Sequence, residues 1–193
     1  MASNHQHPPG ETTVSGRLSS QRVYTGRVIS LDIDRVRLPN GTEGELEMIR
    51  HPGASAVVPV LERAGEERMV VLIRQYRYAA EGFVYEIPAG RLNSDETPEN
   101  CARRELKEET GYRAARMTPL TTIFTTPGFT DERIHLFLAS GLTVGISAPE
   151  SDEVIEVHLT AISEALEMTR SGRITDGKTI IALLFAARFH EIE

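Results

Sequence analysis

Hydrophobic residues recur in short runs along the chain, and their spacing predicts alternating strands and helices. The runs at 56–61 and 69–76 are rich in valine and isoleucine and apolar on both faces, which is typical of buried strands. Further strands are predicted at 83–90, 117–125, 134–139 and 154–159, and helices at 98–110, 161–171 and 179–188. Because strands and helices interleave irregularly, the pattern predicts an α/β or α+β fold with a mixed sheet between helices.

The N-terminal region contains a separate group of short predicted strands. Residues 23–38 and 45–50 are β-rich, and Pro39-Asn40-Gly41 between them carries an Asn-Gly pair that favours a hairpin. The apolar positions between 28 and 38 alternate imperfectly, which predicts a bend or bulge. Two or three strands alone are marginally stable, so this antiparallel β segment needs a surface to pack on, in its own domain or in a second subunit.

Residues 1–16 are polar and rich in proline, glycine and serine, which is typical of a disordered tail. At 193 residues the chain fits one domain with appendages. The predicted organisation is a tail at 1–16, a β segment at 17–50 and a main domain at 51–193.

Composition narrows the classes of function. The formal net charge of −7 argues against nucleic acid as a partner, because phosphate backbones require a basic face. A phosphorylated small molecule stays compatible, since a bound divalent cation reverses the local sign. Cys101 is the only cysteine, which excludes an intrachain disulfide and fits a reducing compartment. No apolar run has the length of a membrane span and no signal-peptide core is present, so a cytoplasmic protein without a membrane partner is expected.

The helix predicted at 98–110 is bounded by clear signals. Thr97 followed by Pro98 reads as an N-cap with proline at the first helical position, and Gly111 marks the stop. At about 100° per residue, Glu105, Glu108 and Glu109 fall on one arc of this helix. The basic residues point away from that arc: Arg103, Arg104 and Lys107.

Three carboxylates on one arc repel one another, whereas a solvated charged face usually alternates its signs. A divalent cation would neutralise the arc. Oxygen-only ligands on one rigid face suit Mg²⁺, with Mn²⁺ as a substitute.

The segment 90–112 resembles the Nudix box, G-x5-E-x7-R-E-U-x-E-E-x-G-U, in which U is a bulky apolar residue. All nine positions match, with an aromatic residue in the last slot, which is more often aliphatic. The matching residues are Gly90, Glu96, Arg104, Glu105, Leu106, Glu108, Glu109, Gly111 and Tyr112. The resemblance implies the α/β/α sandwich of the Nudix hydrolases, here with a small additional N-terminal antiparallel β segment.

The resemblance also implies roles for the box residues. Magnesium ligands would be Ala89, through its carbonyl, together with Glu105, Glu108, Glu109 and Glu153. The implied catalytic residues are Glu108, Glu109, Glu153 and Arg104, the last orienting the glutamates by ion pairing. Gly90 would permit close backbone approach, Glu96 would brace the loop against the helix, and Gly111 would serve a structural role at the end of the helix. Leu106 and Ala102 are expected to pack in the core, as is Cys101.

The sequence leaves the identity of the general base open. Members of the family take it from the box or from a later acidic loop, and the loop 148–153 offers three carboxylates. The resemblance to bacterial ADP-ribose pyrophosphatases places Glu153 at a metal or base position, with Glu150 as the competitor. A solvated loop without a catalytic role is the alternative.

Segments outside the box also resemble the ADP-ribose pyrophosphatase branch. Pro127 lies fifteen residues after Tyr112 and opens the run PGFTDE, although a Pro-Gly turn between strands explains part of that run. The runs RHPG at 50–53, RQYR at 74–77 and EIPAG at 86–90 are similar to that branch too. The candidate substrate-binding residues are Arg50, Arg77, Glu86, Pro127, Gly128 and Glu132. A guanidinium matches a phosphate bidentately, which makes Arg77 the candidate for that contact, and Glu86 is a candidate for a ribose hydroxyl or a metal.

The function expected from this resemblance is Mg²⁺-dependent hydrolysis of a nucleoside diphosphate sugar, with ADP-ribose as the first candidate. GDP-mannose and a damaged nucleoside triphosphate are the alternatives, and a non-catalytic Nudix-like binding module is a more distant one. Relatives of this branch dimerise through an N-terminal segment, so the resemblance also implies a homodimer.

Overall fold

The structure is a computed structural model that describes residues 15–62, 64–147, 154–190 and 192. By their contacts these residues divide into two compact units. The first runs to His51 and includes Thr126–Asp131, and the second comprises Pro52–Thr125 and the chain from Glu132 onward. No helix within the described residues is long and apolar enough to cross a membrane.

The first unit contains a three-stranded antiparallel sheet in the order β1-β2-β3. Its strands are β1 (Gly16–Thr25), β2 (Ser30–Arg37) and β3 (Glu43–Arg50). The predicted hairpin joins β2 to β3: Gly41 has a φ of 82°, and the N–H of Leu38 donates to the carbonyl of Thr42 at 2.8 Å. The prediction of a hairpin here is confirmed.

Two predictions for the first unit need correction. The irregular register falls between β1 and β2, at residues 17–19 and 22–24 of β1, whereas β2 pairs with β3 without a shift. The strand predicted from Val23 begins earlier, at Gly16. The sequence did not indicate this start, because every residue of β1 is exposed and no hydrophobic alternation marks it. Residues 1–14 of the predicted tail lie outside the described residues.

The second unit contains a seven-stranded mixed sheet in the order β10-β5-β4-β9-β8, with β6 on β5 and β7 on β4. Its strands are β4 (Ala54–Leu61), β5 (Met69–Arg77), β6 (Gly82–Glu86), β7 (Ala89–Arg91), β8 (Arg113–Phe124), β9 (Arg133–Thr143) and β10 (Ile155–Ala161). Its helices are α1 (Pro98–Thr110), α2 (Ile162–Arg170) and α3 (Gly177–His190). Strands β4 and β9 are parallel and the other pairs antiparallel.

Helices cover both faces of this sheet. Successive side chains of a strand point to opposite faces, and β4 shows the consequence. Val58 and Val60 belong to the apolar cluster that contains α2 and α3, whereas Val57 packs in a second cluster with Ala102 and Leu106 of α1. The predicted α/β/α sandwich and the core roles of Ala102 and Leu106 are confirmed.

The single strand predicted at 83–90 is wrong, because the chain forms two strands there. Strand β6 pairs with β5, and β7 pairs with β4. Pro88, between them, has no N–H to donate to a sheet ladder, while its carbonyl accepts from the N–H of Val57 at 3.0 Å. The break carries the chain from one neighbour strand to the next and delivers Ala89 and Gly90 to α1.

Candidate active site

Helix α1 forms between the two signals that predict it. Thr97 accepts a hydrogen bond from the N–H of Asn100 at 3.3 Å, and Pro98 occupies the first helical position. Gly111 is left-handed, with a φ of 78°, and its N–H donates to the carbonyl of Lys107 at 2.9 Å. The predicted helix is therefore confirmed at both ends.

The acidic arc of α1 turns towards the sheet. Glu105 and Glu109 are only 8% and 2% exposed, while Glu108 is half-buried and Lys107 is exposed. Carboxylates are seldom buried without partners, because losing their hydration is costly. Lys107 therefore points away from the acidic arc, as predicted, whereas the prediction that Arg104 points away is wrong, because its guanidinium turns back to Glu105 and Glu108.

Arg104 is the cation at the centre of these carboxylates. Its Nε and Nη2 donate to Glu96 at 2.8 and 2.9 Å, and its Nη1 donates to Glu105 at 2.5 Å and to Glu108 at 3.1 Å. Nη2 also donates to the carbonyl of Arg91 at 3.0 Å. These partners, Glu96 first among them, raise the pKa of Arg104. One guanidinium serves three carboxylates and ties α1 to the loop before it.

Glu96 links that loop to the helix. Besides the two bonds from Arg104 it accepts the N–H of Asn93 at 3.0 Å. The hydrogen bond from Arg104 is the largest cause that lowers the pKa of Glu96 to about 2, against the opposing effect of burial. Glu96 is therefore a permanently charged brace at neutral pH.

The backbone of β7 lies directly against the two buried glutamates. A Cβ on Gly90 would lie 1.9 Å from Oε1 of Glu105, so only glycine leaves room for that carboxylate. The N–H of Ala89 donates to Oε2 of Glu109 at 3.1 Å. The contact seen at Ala89 is thus made by its N–H, whereas the role implied by the resemblance concerns its carbonyl.

The donor chemistry of this arc fits a hard divalent cation. The side chains of the arc offer carboxylate oxygens, which Mg²⁺ and Mn²⁺ prefer as ligands, and within the described residues these carboxylates outnumber the guanidinium of Arg104 among them. Within the described residues no three His, Cys, Asp or Glu side chains are already grouped closely enough to hold a metal. Nη1 of Arg104 lies against both Glu105 and Glu108, and Glu109 is bound to β7. Glu150 and Glu153 lie outside the described residues.

Arg77 and Glu86, predicted as separate substrate-binding residues, bind each other. Nε and Nη2 of Arg77 donate to the two carboxylate oxygens of Glu86 at 2.7 and 2.8 Å. The side chain of Glu86 is 3% exposed and also pairs with Lys178, whereas that of Arg77 is 43% exposed. The bond to Glu86 is the largest cause that raises the pKa of Arg77, and Glu109 of the box adds to it by its charge.

Lys178 was missed by sequence reasoning. It belongs to no motif, and its only signal is its place just after Asp176-Gly177, where α3 begins.

Arg50 lies in the first unit, where it holds three carboxylates. Its Nε donates to Asp32 at 3.0 Å, its Nη1 to Asp131 at 3.3 Å, and its Nη2 pairs with Asp34. Burial opposes the charge on Arg50, but these hydrogen bonds outweigh it and raise its pKa. The three aspartates were not singled out from the sequence, although two acids that alternate with Leu31 and Ile33 are a usable signal for Asp32 and Asp34.

The three remaining candidates lie at or beside an exposed turn. Pro127 and Gly128 belong to the first unit, in a turn where the N–H of Phe129 donates to the carbonyl of Thr126 at 3.2 Å. Glu132 belongs to the second unit, and its Oε2 accepts a hydrogen bond from Thr125 at 2.9 Å. Their substrate-binding roles stay predictions.

Known proteins resemble this chain over most of its length. Residues 50–182 match the family described as NUDIX domain. The chain is 39% identical over 170 residues to the ADP-ribose pyrophosphatase of Bacillus subtilis (strain 168) and 40% identical to the methanol dehydrogenase activator of Bacillus methanolicus, covering 87% of this chain and 90% of each relative. It is 34% identical over 194 residues to the GDP-mannose pyrophosphatase of Salmonella typhimurium, covering 93% and 96%.

A solved structure described as an ADP compounds hydrolase has the same fold, with a TM-score of 0.79 at 18% identity over 95% of this chain and 97% of that one. The protein therefore belongs to the Nudix family and is a hydrolase of that family.

Proposed function

We propose that the protein hydrolyses the pyrophosphate of a nucleoside diphosphate sugar, with ADP-ribose as the substrate and AMP and ribose 5-phosphate as the products. The observation that carries the proposal is the buried acidic arc, with Glu105 and Glu109 held against Gly90 and Ala89. The similarity to an ADP-ribose pyrophosphatase supports the substrate. The similarity to a GDP-mannose pyrophosphatase makes GDP-mannose the second candidate.

We assign Glu105, Glu108 and Glu109 to a Mg²⁺ site, with Mn²⁺ as a substitute, Ala89 as a backbone ligand and Glu153 as a further carboxylate. A bound ion of this kind neutralises pyrophosphate charge and lowers the pKa of a coordinated water. Arg104 contributes by holding the carboxylates of Glu105 and Glu108 in place before the substrate arrives.

Arg77 is the residue best placed to bind a substrate phosphate. Glu86 occupies its Nε and Nη2, and its Nη1 donates no hydrogen bond within the described residues, so one edge of a half-exposed guanidinium stays available. Arg50 differs, because Nε, Nη1 and Nη2 all hold aspartates. The geometry therefore supports phosphate contact at Arg77 better than at Arg50. Pro127, Gly128 and Glu132 are proposed to contact the rest of the substrate.

The reaction consumes one water. Its oxygen forms a bond to one phosphorus while the bond from that phosphorus to the bridging oxygen breaks, and the leaving phosphate keeps the bridging oxygen. The proton of the water goes to a carboxylate base, for which Glu153, Glu150 and the box glutamates are the candidates. The variants Glu153→Gln and Glu150→Gln, compared with wild type, identify the base. The variant that lacks the base should have a kcat about 10²-fold or more below wild type, while the other variant keeps the wild-type kcat.

A substrate panel tests the function. ADP-ribose, GDP-mannose and an oxidised nucleoside triphosphate are incubated with Mg²⁺, with Mn²⁺ and with EDTA, in ¹⁸O-water, and the products are separated by chromatography. We expect the highest kcat/KM for ADP-ribose, no turnover in EDTA, and ¹⁸O in one product only, which identifies the attacked phosphorus. A higher kcat/KM for GDP-mannose would make GDP-mannose the assigned substrate in place of ADP-ribose. Turnover of the triphosphate alone would refute the proposal.

We also propose that the protein is cytoplasmic and that it is a homodimer, which forms through residues 17–50. Support comes from large apolar side chains exposed on this sheet and on the turn between β2 and β3: Leu18, Val23, Tyr24, Leu38 and Leu46. A twofold pair would cover such a surface and a free strand edge. Deletion of residues 1–38 removes β1 and β2, and light scattering should then report a monomer with a cooperative melt. A dimeric truncated protein, or a full-length monomer at micromolar concentration, contradicts the proposal.

A further inference from the structure

The first turn of α3 is attached to the segment that leads into the box. The hydroxyl of Thr179, fully buried, accepts the N–H of Ile87 at 2.9 Å and donates to Asp176 at 2.6 Å. The same carboxylate accepts the backbone N–H of Thr179 at 2.9 Å, which caps the helix. The start of α3 is therefore bonded to the chain just where β6 gives way to β7.

Lys178 makes the second attachment. Its side chain is only 12% exposed, and its ammonium pairs with Glu86 and, at 3.0 Å, with Asp176. Burial of Glu86 opposes its charge, but Arg77 and Lys178 outweigh that effect and lower the pKa of the carboxyl. Asp176, Lys178, Glu86 and Arg77 thus form a chain of alternating charges, in which each inner member has an oppositely charged neighbour on both sides.

We propose that Lys178 is a positioning residue of the active site, which fixes the Glu86 carboxylate so that Glu86 presents Arg77 to a substrate phosphate. The inference rests on the proposed function, in which Arg77 makes that contact. Glu86 is the only hydrogen-bond partner of the Arg77 guanidinium within the described residues, so the orientation of Arg77 depends on that of Glu86. Lys178 and Nη2 of Arg77 share Oε2 of Glu86, and without the ammonium this carboxylate loses one of its two cationic supports.

The attachment extends to the box through the backbone. Glu86 is held by Lys178, Ile87 by Thr179, and Ala89 donates to Glu109, all within one short stretch. A shift at the start of α3 therefore reaches both the phosphate-binding arginine and the strand that supports the acidic arc. If Lys178 served stability alone, its contacts would not need to lead to these two parts of the active site.

Lys178→Met tests the proposal, because methionine keeps most of the side-chain length and removes the charge. The matched control is Lys107→Met, at the chain's only other lysine, which is exposed on the outer face of α1. With ADP-ribose and Mg²⁺ we expect Lys178→Met to raise KM about 10-fold or more and to change kcat less than about threefold, since a contact made before and during the reaction affects KM first. Lys107→Met should match wild type in both constants.

A double variant shows whether Lys178 acts through Glu86. Glu86→Gln alone should raise KM as Lys178→Met does, and adding Lys178→Met to Glu86→Gln should change KM less than about twofold further, because coupled residues are not additive. The double variant also removes the buried carboxylate that has lost one of its two cationic supports in Lys178→Met, so it keeps the question open to measurement if Lys178→Met alone fails to melt cooperatively. Equal effects of Lys178→Met in both backgrounds, or a wild-type KM in folded Lys178→Met, would overturn the proposal.

The wild-type protein separates this inference from the proposed function. If it hydrolyses GDP-mannose rather than ADP-ribose, the assigned substrate is wrong and the same variants are compared on GDP-mannose, with the same expectation for KM. If it hydrolyses neither nucleotide sugar, the proposed function and the role of Lys178 in it both fail.

Discussion

Gly90 and Glu105 approach so closely that a Cβ on residue 90 would lie 1.9 Å from Oε1 and 2.1 Å from Cδ of Glu105. The carboxylate of Glu105 cannot rotate away freely, because it is buried and bound to Arg104. The glycine of the box is therefore required by a side chain fifteen residues later in the sequence rather than by a turn of its own.

Gly90→Ala should consequently displace the Glu105 carboxylate and lower kcat about 10-fold or more, with a reduced melting temperature, since small misplacements at an active site are costly. Gly44→Ala is the control, because a Cβ there meets nothing within 4 Å. Turnover and melting curves of the two variants measure the difference. Wild-type activity in Gly90→Ala would show that the close approach has no functional consequence.

Glu109→Gln should nearly abolish turnover and leave the fold intact. The amide keeps the shape of the side chain and its acceptor for the N–H of Ala89, but it removes the charge proposed to bind the metal. Loss of such a group typically costs 10²-fold or more in rate, or about 2.7 kcal/mol and upward. Glu99→Gln, at an exposed ion pair on the same helix, is the control. More than about a tenth of wild-type kcat in Glu109→Gln would contradict its assignment.

The brace made by Glu96 should give the protein a distinct acid sensitivity. Its folded-state pKa, about 2, is below its ordinary value, so its stabilising effect is fully present above that ordinary value, near pH 4.5, and is lost as the pH falls through about 2. We expect Glu96→Gln to melt below wild type at pH 7, with the gap closing as the pH falls from about 4.5.

Melting curves at a series of pH values measure this gap. Glu167→Gln is the control, because Glu167 also accepts hydrogen bonds from Nε and Nη2 of an arginine, Arg170, but is exposed. Its melting temperature should differ little from that of wild type at any pH. A gap between wild type and Glu96→Gln that is unchanged at about pH 3 would mean that Glu96 stabilises the fold by packing rather than by its charge.

Mg²⁺ should raise the melting temperature of the wild-type protein, and more so with ADP-ribose present. The carboxylates of the arc repel one another, and a ligand that binds only the folded state stabilises it by mass action. EDTA should reverse the rise, and Glu109→Gln should show a smaller one. A melting temperature indifferent to millimolar Mg²⁺ and substrate together would argue against a metal-bridged site.

Local patterns predicted much of the fold. The bounds of α1, the β2–β3 hairpin and the sheet between helices follow from capping residues, an Asn-Gly pair and apolar runs, which act over a few residues. Strand β1 and the split between β6 and β7 were harder. Strand β1 is exposed and therefore carries no hydrophobic alternation. The proline between β6 and β7 lies inside an apolar run, and the break there is visible only from the pairing of β6 with β5 and of β7 with β4.

For the site, the sequence by itself determined that three glutamates share one helix face beside a glycine-led loop, because helical geometry converts spacing into direction. The tertiary structure alone decided that Arg77 and Glu86 bind each other and that Lys178 joins them, since Lys178 and Glu86 are 92 residues apart in the chain. It also decided that Arg50 is engaged by three aspartates. Electrostatic pairing depends on distance in space, and a linear pattern records that distance only within a single strand, turn or helix.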